Sequence, residues 1–293
     1  MQVTVGLDDL RGRVRDARRG AGARAVSFVP TMGALHAGHL SLVRAARSRA
    51  GFVVLSVFVN PLQFGPGEDF ARYPRDLERD THLAAGAGVD LLWAPESAAM
   101  YPAPPRVTVS PGGAGERLEG ASRPGHFGGV LTVVLKLFEL VAPDVAVFGR
   151  KDFQQAALIR AMARDFNLPV EIVVAPTVRE HDGLALSSRN VYLDAAARTS
   201  ATALYRALRR AVELFRGGER RALALTDAAR HVLAGTPGVS PDYVACAAPG
   251  DLAPVEVADE GTVLLVAARV GATRLIDNVV LGEGLEGDVH VSR

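Results

Sequence analysis

Cysteine is nearly missing from this 293-residue chain: Cys246 stands alone. No internal disulfide can form, which excludes a stapled secreted scaffold and fits a reducing compartment. An excess of charge is missing too. Thirty-three basic residues against 32 acidic ones leave +1, which argues against a dedicated nucleic-acid binder, whose basic footprint shows in the total. No apolar run is long enough to span a bilayer; the longest, 129–141, is interrupted by Lys136 and Glu139. Residues 8–19 are charged where an export signal would be apolar. No fixed-period repeat or low-complexity tract occurs. What is present is a 48% hydrophobic composition, enough for a sizeable core. The expectation is a cytoplasmic globular protein about two average domains long.

Short apolar runs at 25–30, 51–59, 89–93, 142–148 and 170–175 read as strands. Helix-like stretches at 40–50, 74–85, 129–141 and 152–167 alternate with them. This alternation predicts a doubly wound (Rossmann-like) parallel sheet, and the run at 51–59 is apolar on both faces, as a strand covered by helices on both sides must be. After residue 178 the pattern changes. Two helices, 195–215 and 220–234, precede strand-like runs at 242–247, 262–268 and 273–280. That order predicts a smaller C-terminal α+β domain with an antiparallel sheet. The expected domains are 1–178 and 179–293, with 179–190 serving as both hinge and site loop. Arginine runs at 11–19 and 206–221 read as solvated helix faces.

Unusual polar sequences follow the strand ends, where ligands of open α/β sheets gather. The first is Met32-Gly33-Ala34-Leu35-His36-Ala37-Gly38-His39, an H-x-G-H pattern where a helix should begin. A helix N-terminus offers free N–H groups to phosphate, and imidazole donors there could bind a transferring phosphoryl group. A capped helix start with two solvated histidines is an equally weighted reading. Zinc is disfavoured, since H-E-x-x-H and paired cysteines are both lacking. The second is Gly149-Arg150-Lys151-Asp152. All but two of the 33 basic residues are arginine, so a lysine here suggests ammonium chemistry on a polyphosphate, against the alternative of an ordinary surface charge. The third, 181–190, carries Ser187, Ser188 and Arg189 in a glycine-containing loop that could close over phosphates, although a turn and helix cap is the commoner use of such serines. Asn60, Gln63, Gln154 and Gln155 are neutral amides suited to a hydroxy acid. Arg123 and His126 lie in a glycine/proline segment expected to be a flexible connection.

Together these segments resemble the pantothenate synthetase (pantoate–β-alanine ligase) family of the nucleotidylyltransferase superfamily. PTMGALHAGHLSLV, VFVNPLQFG with EDFARYPRD, LEGASRPGHFGGVLTVVLKLF, PDVAVFG-x-KDFQQ, DGLALSSRN and RLIDN follow the family's order and spacing over residues 25–278. The resemblance implies a two-step reaction in which pantoate and Mg-ATP give pantoyl adenylate, and β-alanine then displaces AMP to form pantothenate. It implies an ATP site of Met32 to His39, Gly149, Arg150, Lys151, Asp152, Val178 and Leu186 to Arg189, with His39 as proton donor and His36 beside it. Gln63 and Gln155 would hold pantoate, with Asn60, Tyr73, Arg123 and His126 as further substrate candidates. No protein ligands for a metal are assigned, Mg2+ arriving with ATP. A homodimer is implied, with neither nucleic acid nor membrane as partner.

One departure stands out: Arg150 occupies a position where the family usually has glutamate. His181 falls at a variable position and receives no role. Two other functions compete. Another nucleotidylyltransferase would act on a phosphorylated acceptor and need extra cations, whereas a synthetase-derived nucleotide binder would bind without turnover.

Overall fold

The computed structural model describes residues 1–19 and 22–291, so the last two residues of the expected 179–293 domain lie outside it. The chain divides into two units: Met1–Gly149 with Gln154–Ala175, and Arg150–Phe153 with Pro176–Arg293.

The first unit contains β1 (Gln2–Thr4), α1 (Leu7–Ala17), β2 (Val26–Thr31), α2 (Ala37–Arg47), β3 (Phe52–Val57), α3 (Leu77–Ala87) and β4 (Leu91–Trp93). It continues through α4 (Ser97–Met100), α5 (Glu119–Ser122), α6 (His126–Val141), β5 (Val145–Gly149), α7 (Phe153–Asp165) and β6 (Glu171–Ala175). Six strands form one parallel sheet in the order β1-β4-β3-β2-β5-β6, the expected Rossmann-like architecture. Successive side chains of a strand point to opposite faces, and each face has its own core. Phe28 and Val54 pack with α1, α6 and α7; Val29, Val53 and Leu55 pack with α2 and α3. The chain runs outward from β2 through β3 to β4, then returns to β5 on the other side of β2. The reversal between β2 and β5 is the place where such sheets open a crevice at their carboxyl ends.

Several boundaries differ from expectation for local reasons. α2 starts at Ala37 because His36 takes the cap position. α3 starts at Leu77 because the Asp76 carboxylate accepts the Arg79 N–H at 3.0 Å, and it ends where Gly88 adopts φ +90°. α6 begins at His126, directly after Gly125 at φ +82°, so residues 123–126 are the helix entry rather than a flexible connection. The edge strand β1 is too short for alternation to reveal.

The second unit holds β7 (Val178–Arg179), α8 (Ala195–Ala201), α9 (Ala203–Arg216), α10 (Ala222–Ala234), β8 (Val239–Ala247), β9 (Val263–Val270), β10 (Thr273–Val280) and β11 (Val289–His290). As expected it has an antiparallel sheet, ordered β10-β9-β8, and α9 and α10 share a core with it. Pro241 sits at a register shift of the edge strand β8, where the missing N–H costs least. Two features depart from expectation. The helix expected over 195–215 is divided at Thr202, which caps α9. Residues 178–179 pair in parallel with β11, so Arg179 belongs to a strand and not to a hinge loop.

Candidate active site

In the first unit the sheet hands the chain from β2 into a tight loop and then into α2. Thr31 opens the loop: its hydroxyl donates to Ser56 O at 2.7 Å and accepts the Gly33 N–H at 3.2 Å. Gly33 (φ +81°) and Ala34 (φ +51°) turn the backbone through the left-handed region. His36 then caps α2, its Nδ1 accepting the Gly38 N–H at 3.1 Å, while His39 Nδ1 accepts the His36 N–H at 3.3 Å. The two rings lie 4.1 Å apart between centroids. Because both Nδ1 atoms act as acceptors, each neutral imidazole carries its proton on Nε2. The first turn of α2 contains no acidic side chain, so the positive end of the helix is not neutralised from within.

The amide Gln63 is built from beneath. Asn60 Nδ2 donates to Gln63 Oε1 and to Gly129 O, both at 3.1 Å, and Asn60 Oδ1 accepts from Tyr101 Oη at 3.0 Å and from Leu62 N at 3.4 Å. The Asn60 amide is thereby saturated and acts as scaffold. Gln63 Nε2 donates to Met32 Sδ at 3.2 Å, tying this turn to the β2–α2 loop. The Gln63 main-chain carbonyl is gripped from the entry to α6: His126 Nδ1 donates to it at 2.8 Å and Arg123 Nη2 at 3.3 Å. Arg123 also donates from Nη1 to His126 Nε2 at 3.0 Å and forms a bidentate pair with Glu68 at 2.6 and 2.7 Å. Arg123 and His126, expected among the substrate contacts, thus hold the Gln63 main chain. Tyr73 is buried with its ring against Phe64. Gln154, the other amide of its pair, is consumed internally: it accepts Glu119 N at 3.1 Å and donates to Ala114 O and Arg117 O at 2.8 and 2.9 Å. Gln155 is half-buried in the first turn of α7.

Electrostatics follow these contacts. Burial and the adjacent Arg123 cation push His126 down to about 4, which keeps it neutral and donating from Nδ1. Burial opposes ionisation of Glu68, but the Arg123 guanidinium outweighs it and holds the carboxyl below its usual value. Because the unfolded imidazole titrates near 6.5, acidification from there to about pH 4 protonates the unfolded state first and destabilises the fold. Unfolding free energies from urea denaturation should fall further across that interval for the wild type than for His126→Gln, by on the order of 1–3 kcal/mol. Parallel curves would remove His126 from the lock on Gln63.

In the second unit the Arg150–Asp152 turn hangs from β10. Asn278 Nδ2 donates to Arg150 O at 3.0 Å and to Lys151 O at 2.8 Å. Arg150 pairs with Glu283 and, at 2.7 Å, with Asp288, so its guanidinium is committed to carboxylates. Asp288 also pairs with Arg179 at 2.6 Å, and Arg179 forms a bidentate pair with Asp277 at 2.6 and 3.0 Å. Arg179 is 0% exposed. Burial pulls its pKa down, but Asp277 and Asp288 prevail and raise it. Asp277 and Asn278 lie within the RLIDN segment, whereas no sequence signal singles out Glu283 or Asp288.

The 181–190 loop leaves Arg179, whose Nη1 donates to Gly183 O at 3.1 Å. Gly183, at φ +93°, lies so close to the Tyr205 ring that any Cβ would overlap it. Leu186 N returns to Val178 O at 2.9 Å. Ser187 then caps a short 3-10 turn, its Oγ accepting Arg189 N at 3.2 Å. Ser187, Ser188 and Arg189 are half-buried, and Asp152 is exposed.

The pantoate–β-alanine ligase family model matches residues 2–280. The pantothenate synthetase of Moorella thermoacetica is 56% identical over 256 residues, covering 87% of this chain and 90% of its own. A crystal structure of the pantothenate synthetase of Thermus thermophilus superposes with TM-score 0.90 at 48% identity, covering 96% of this chain and 99% of that one. A Francisella tularensis pantoate–β-alanine ligase, solved with β,γ-ATP and β-alanine, superposes with TM-score 0.79 at 32% identity over 98% of this chain and 100% of that one. With the family model matched over residues 2–280, a relative 56% identical over most of both chains and a shared fold, this chain belongs to the pantoate–β-alanine ligase family.

Proposed function

We propose that the chain condenses pantoate with β-alanine at the expense of ATP. In the first step a pantoate carboxylate oxygen attacks the α-phosphorus of ATP, forming pantoyl adenylate and releasing pyrophosphate. In the second the β-alanine amine attacks the acyl carbon, the C–O bond to phosphate breaks, and pantothenate and AMP leave. Adenylation turns a poor acyl donor into one with a good leaving group. Little covalent chemistry falls to the protein, whose share is positioning and stabilisation of charge on phosphate oxygens.

The observation that carries this reading is the reciprocal cap of α2. It directs both histidine Nδ1 atoms inward and gives each ring an Nε2–H donor at a helix N-terminus, beside the reversal of the sheet. Lys151, the Ser187 and Ser188 hydroxyls and Arg189 would supply the remaining donors to the triphosphate. In this division of labour the first unit would supply the histidine pair and the acid pocket, and the second Lys151 and the Ser187–Arg189 loop. Gln63 and Gln155 would hold pantoate through neutral donors and acceptors, with Asn60, Arg123 and His126 supporting Gln63 from behind.

These donors suit phosphate oxygens and not a resident cation, and among the described residues no three His, Cys, Asp or Glu side chains cluster as a metal site. Mg2+ would come as Mg-ATP, shielding phosphate charge. No helix among the described residues is long and apolar enough to cross a membrane; a cytoplasmic homodimer fits the family resemblance.

ATP–pyrophosphate exchange tests the acceptor. Exchange should require pantoate, and phosphopantetheine or a nucleotide should not replace it. Exchange driven by a phosphorylated acceptor would favour a different nucleotidylyltransferase. Gln63→Ala should raise the pantoate requirement at least about tenfold, ~1.4 kcal/mol, and the ATP requirement much less; the reverse ranking would remove Gln63 from the acid pocket.

A further inference from the structure

The loop that delivers the two histidines has a backbone its own residues do not favour. Gly33 and Ala34 both have positive φ, +81° and +51°, and an alanine rarely stays there unless its surroundings impose it. What imposes it lies on α3, more than forty residues along the chain. Asp80 is 0% exposed; its Oδ2 accepts the Ala34 N–H at 2.9 Å and its Oδ1 accepts the Leu35 N–H at 2.7 Å. The preceding residue, Arg79, donates from Nη1 to Leu35 O at 3.2 Å. Neighbouring side chains of α3 therefore hold both polar groups of Leu35. The next residue is His36, whose N–H and ring make the reciprocal cap with His39 and Gly38. A Cβ on Gly33 would stand 2.8 Å from Asp80 Oδ2 and 2.9 Å from Val57 Cγ1, so glycine is what lets the carboxylate reach this turn.

Two N–H groups converge on Asp80, and a carboxylate meets them with one acceptor oxygen each. Asparagine is nearly the same shape but keeps one acceptor and turns an NH2 toward the other amide. A fully buried carboxylate would be costly if it did no more than fill space. We infer that Asp80 is a positioning residue for adenylyl transfer: it fixes the Gly33–Leu35 backbone so that His36 and His39 present Nε2 in one geometry. This rests on the reading of the histidine pair as the phosphate-binding element.

The test uses the full chain, pyrophosphate exchange and amide hydrogen exchange. Asp80→Asn should lower kcat for pantoate-dependent exchange at least about tenfold while leaving KM for pantoate within about twofold. In a background lacking both imidazoles (His36→Asn with His39→Asn) the same change should cost less than about twofold, because all three act through one element. An equal loss in both backgrounds, or an unchanged kcat, overturns the inference. If Asp80→Asn does not fold, the wild type still decides. The Ala34 and Leu35 amides should be strongly protected, and exchange as fast as that of an exposed loop amide such as Gly67 would refute the clamp. Absence of exchange activity in the wild type would instead sink the functional reading, while the amide protection still reports on the clamp.

Discussion

Replacing His39 by asparagine should slow adenylate formation at least about tenfold, about 1.4 kcal/mol of barrier, with the fold intact. On the proposed reading, histidine at this position has two jobs on two nitrogens. Nδ1 accepts the His36 N–H and closes the cap, and an asparagine Oδ1 can take over that bond because it lies at a similar distance from the backbone. Nε2–H faces the other way, and asparagine has nothing there. His39→Gln reverses the exchange, placing an amide N–H near the Nε2 position but giving up the acceptor. Glutamine should therefore retain more activity and less stability than asparagine. Paired stopped-flow and thermal-unfolding measurements separate the two roles. Activity lost in proportion to stability would reduce His39 to a helix cap. Lys151→Ala should cost at least as much as His39→Asn, because the adjacent cation is not available to replace it: Arg150 is already held by Glu283 and Asp288.

Gly129→Ala should raise the pantoate requirement at least about tenfold and destabilise the fold by roughly 1–3 kcal/mol. Gly129 lies on the face of α6 that meets the 61–63 turn, and there the packing is backbone on backbone. A methyl group would overlap Leu62 C and O and stand 2.7 Å from Gln63 N. None of these atoms can rotate away as a side-chain tip could, so helix and turn must separate. That movement would also break the bond from Asn60 Nδ2 to Gly129 O and displace the carbonyl of Gln63 from His126 and Arg123. The requirement for ATP should change little, since His36 and His39 are fixed from α3 and from each other. Steady-state kinetics with pantoate and ATP varied in turn, beside urea denaturation, gives both quantities. Equal rises in both requirements would mean that the damage is general.

These two positions show what a linear sequence can disclose. The 51–59 run announces β3 because a strand covered on both faces is apolar throughout, and H-x-G-H lies at a helix start because its own side chains form the cap. Such signals are local. Arg179 looks no different from a surface arginine until Asp277 and Asp288, about a hundred residues away, are seen beside it. Asp80 reads as one more acid in a charged helix, yet it is fully buried against the glycine turn. Arg123 and His126 followed by a Gly-Gly pair read as a loose connection, yet both donate to one carbonyl of Gln63. Helix breaks such as that at Thr202 leave the apolar periodicity nearly undisturbed and so escape notice. Contacts across the fold carry no periodicity of their own, which is why the elements were more legible than the scaffolding of the site.

A crystal structure with a non-hydrolysable ATP analogue and pantoate bears most directly on the claim that distant segments serve one triphosphate. His39 Nε2, Lys151 Nζ and the Arg189 guanidinium should all lie within about 3.2 Å of its phosphate oxygens, with the pantoate carboxylate in line with the α-phosphorus and its hydroxyls near Gln63. Nucleotide held at the histidine pair alone, with Lys151 and Arg189 more than a water's width from its phosphates, would contradict it.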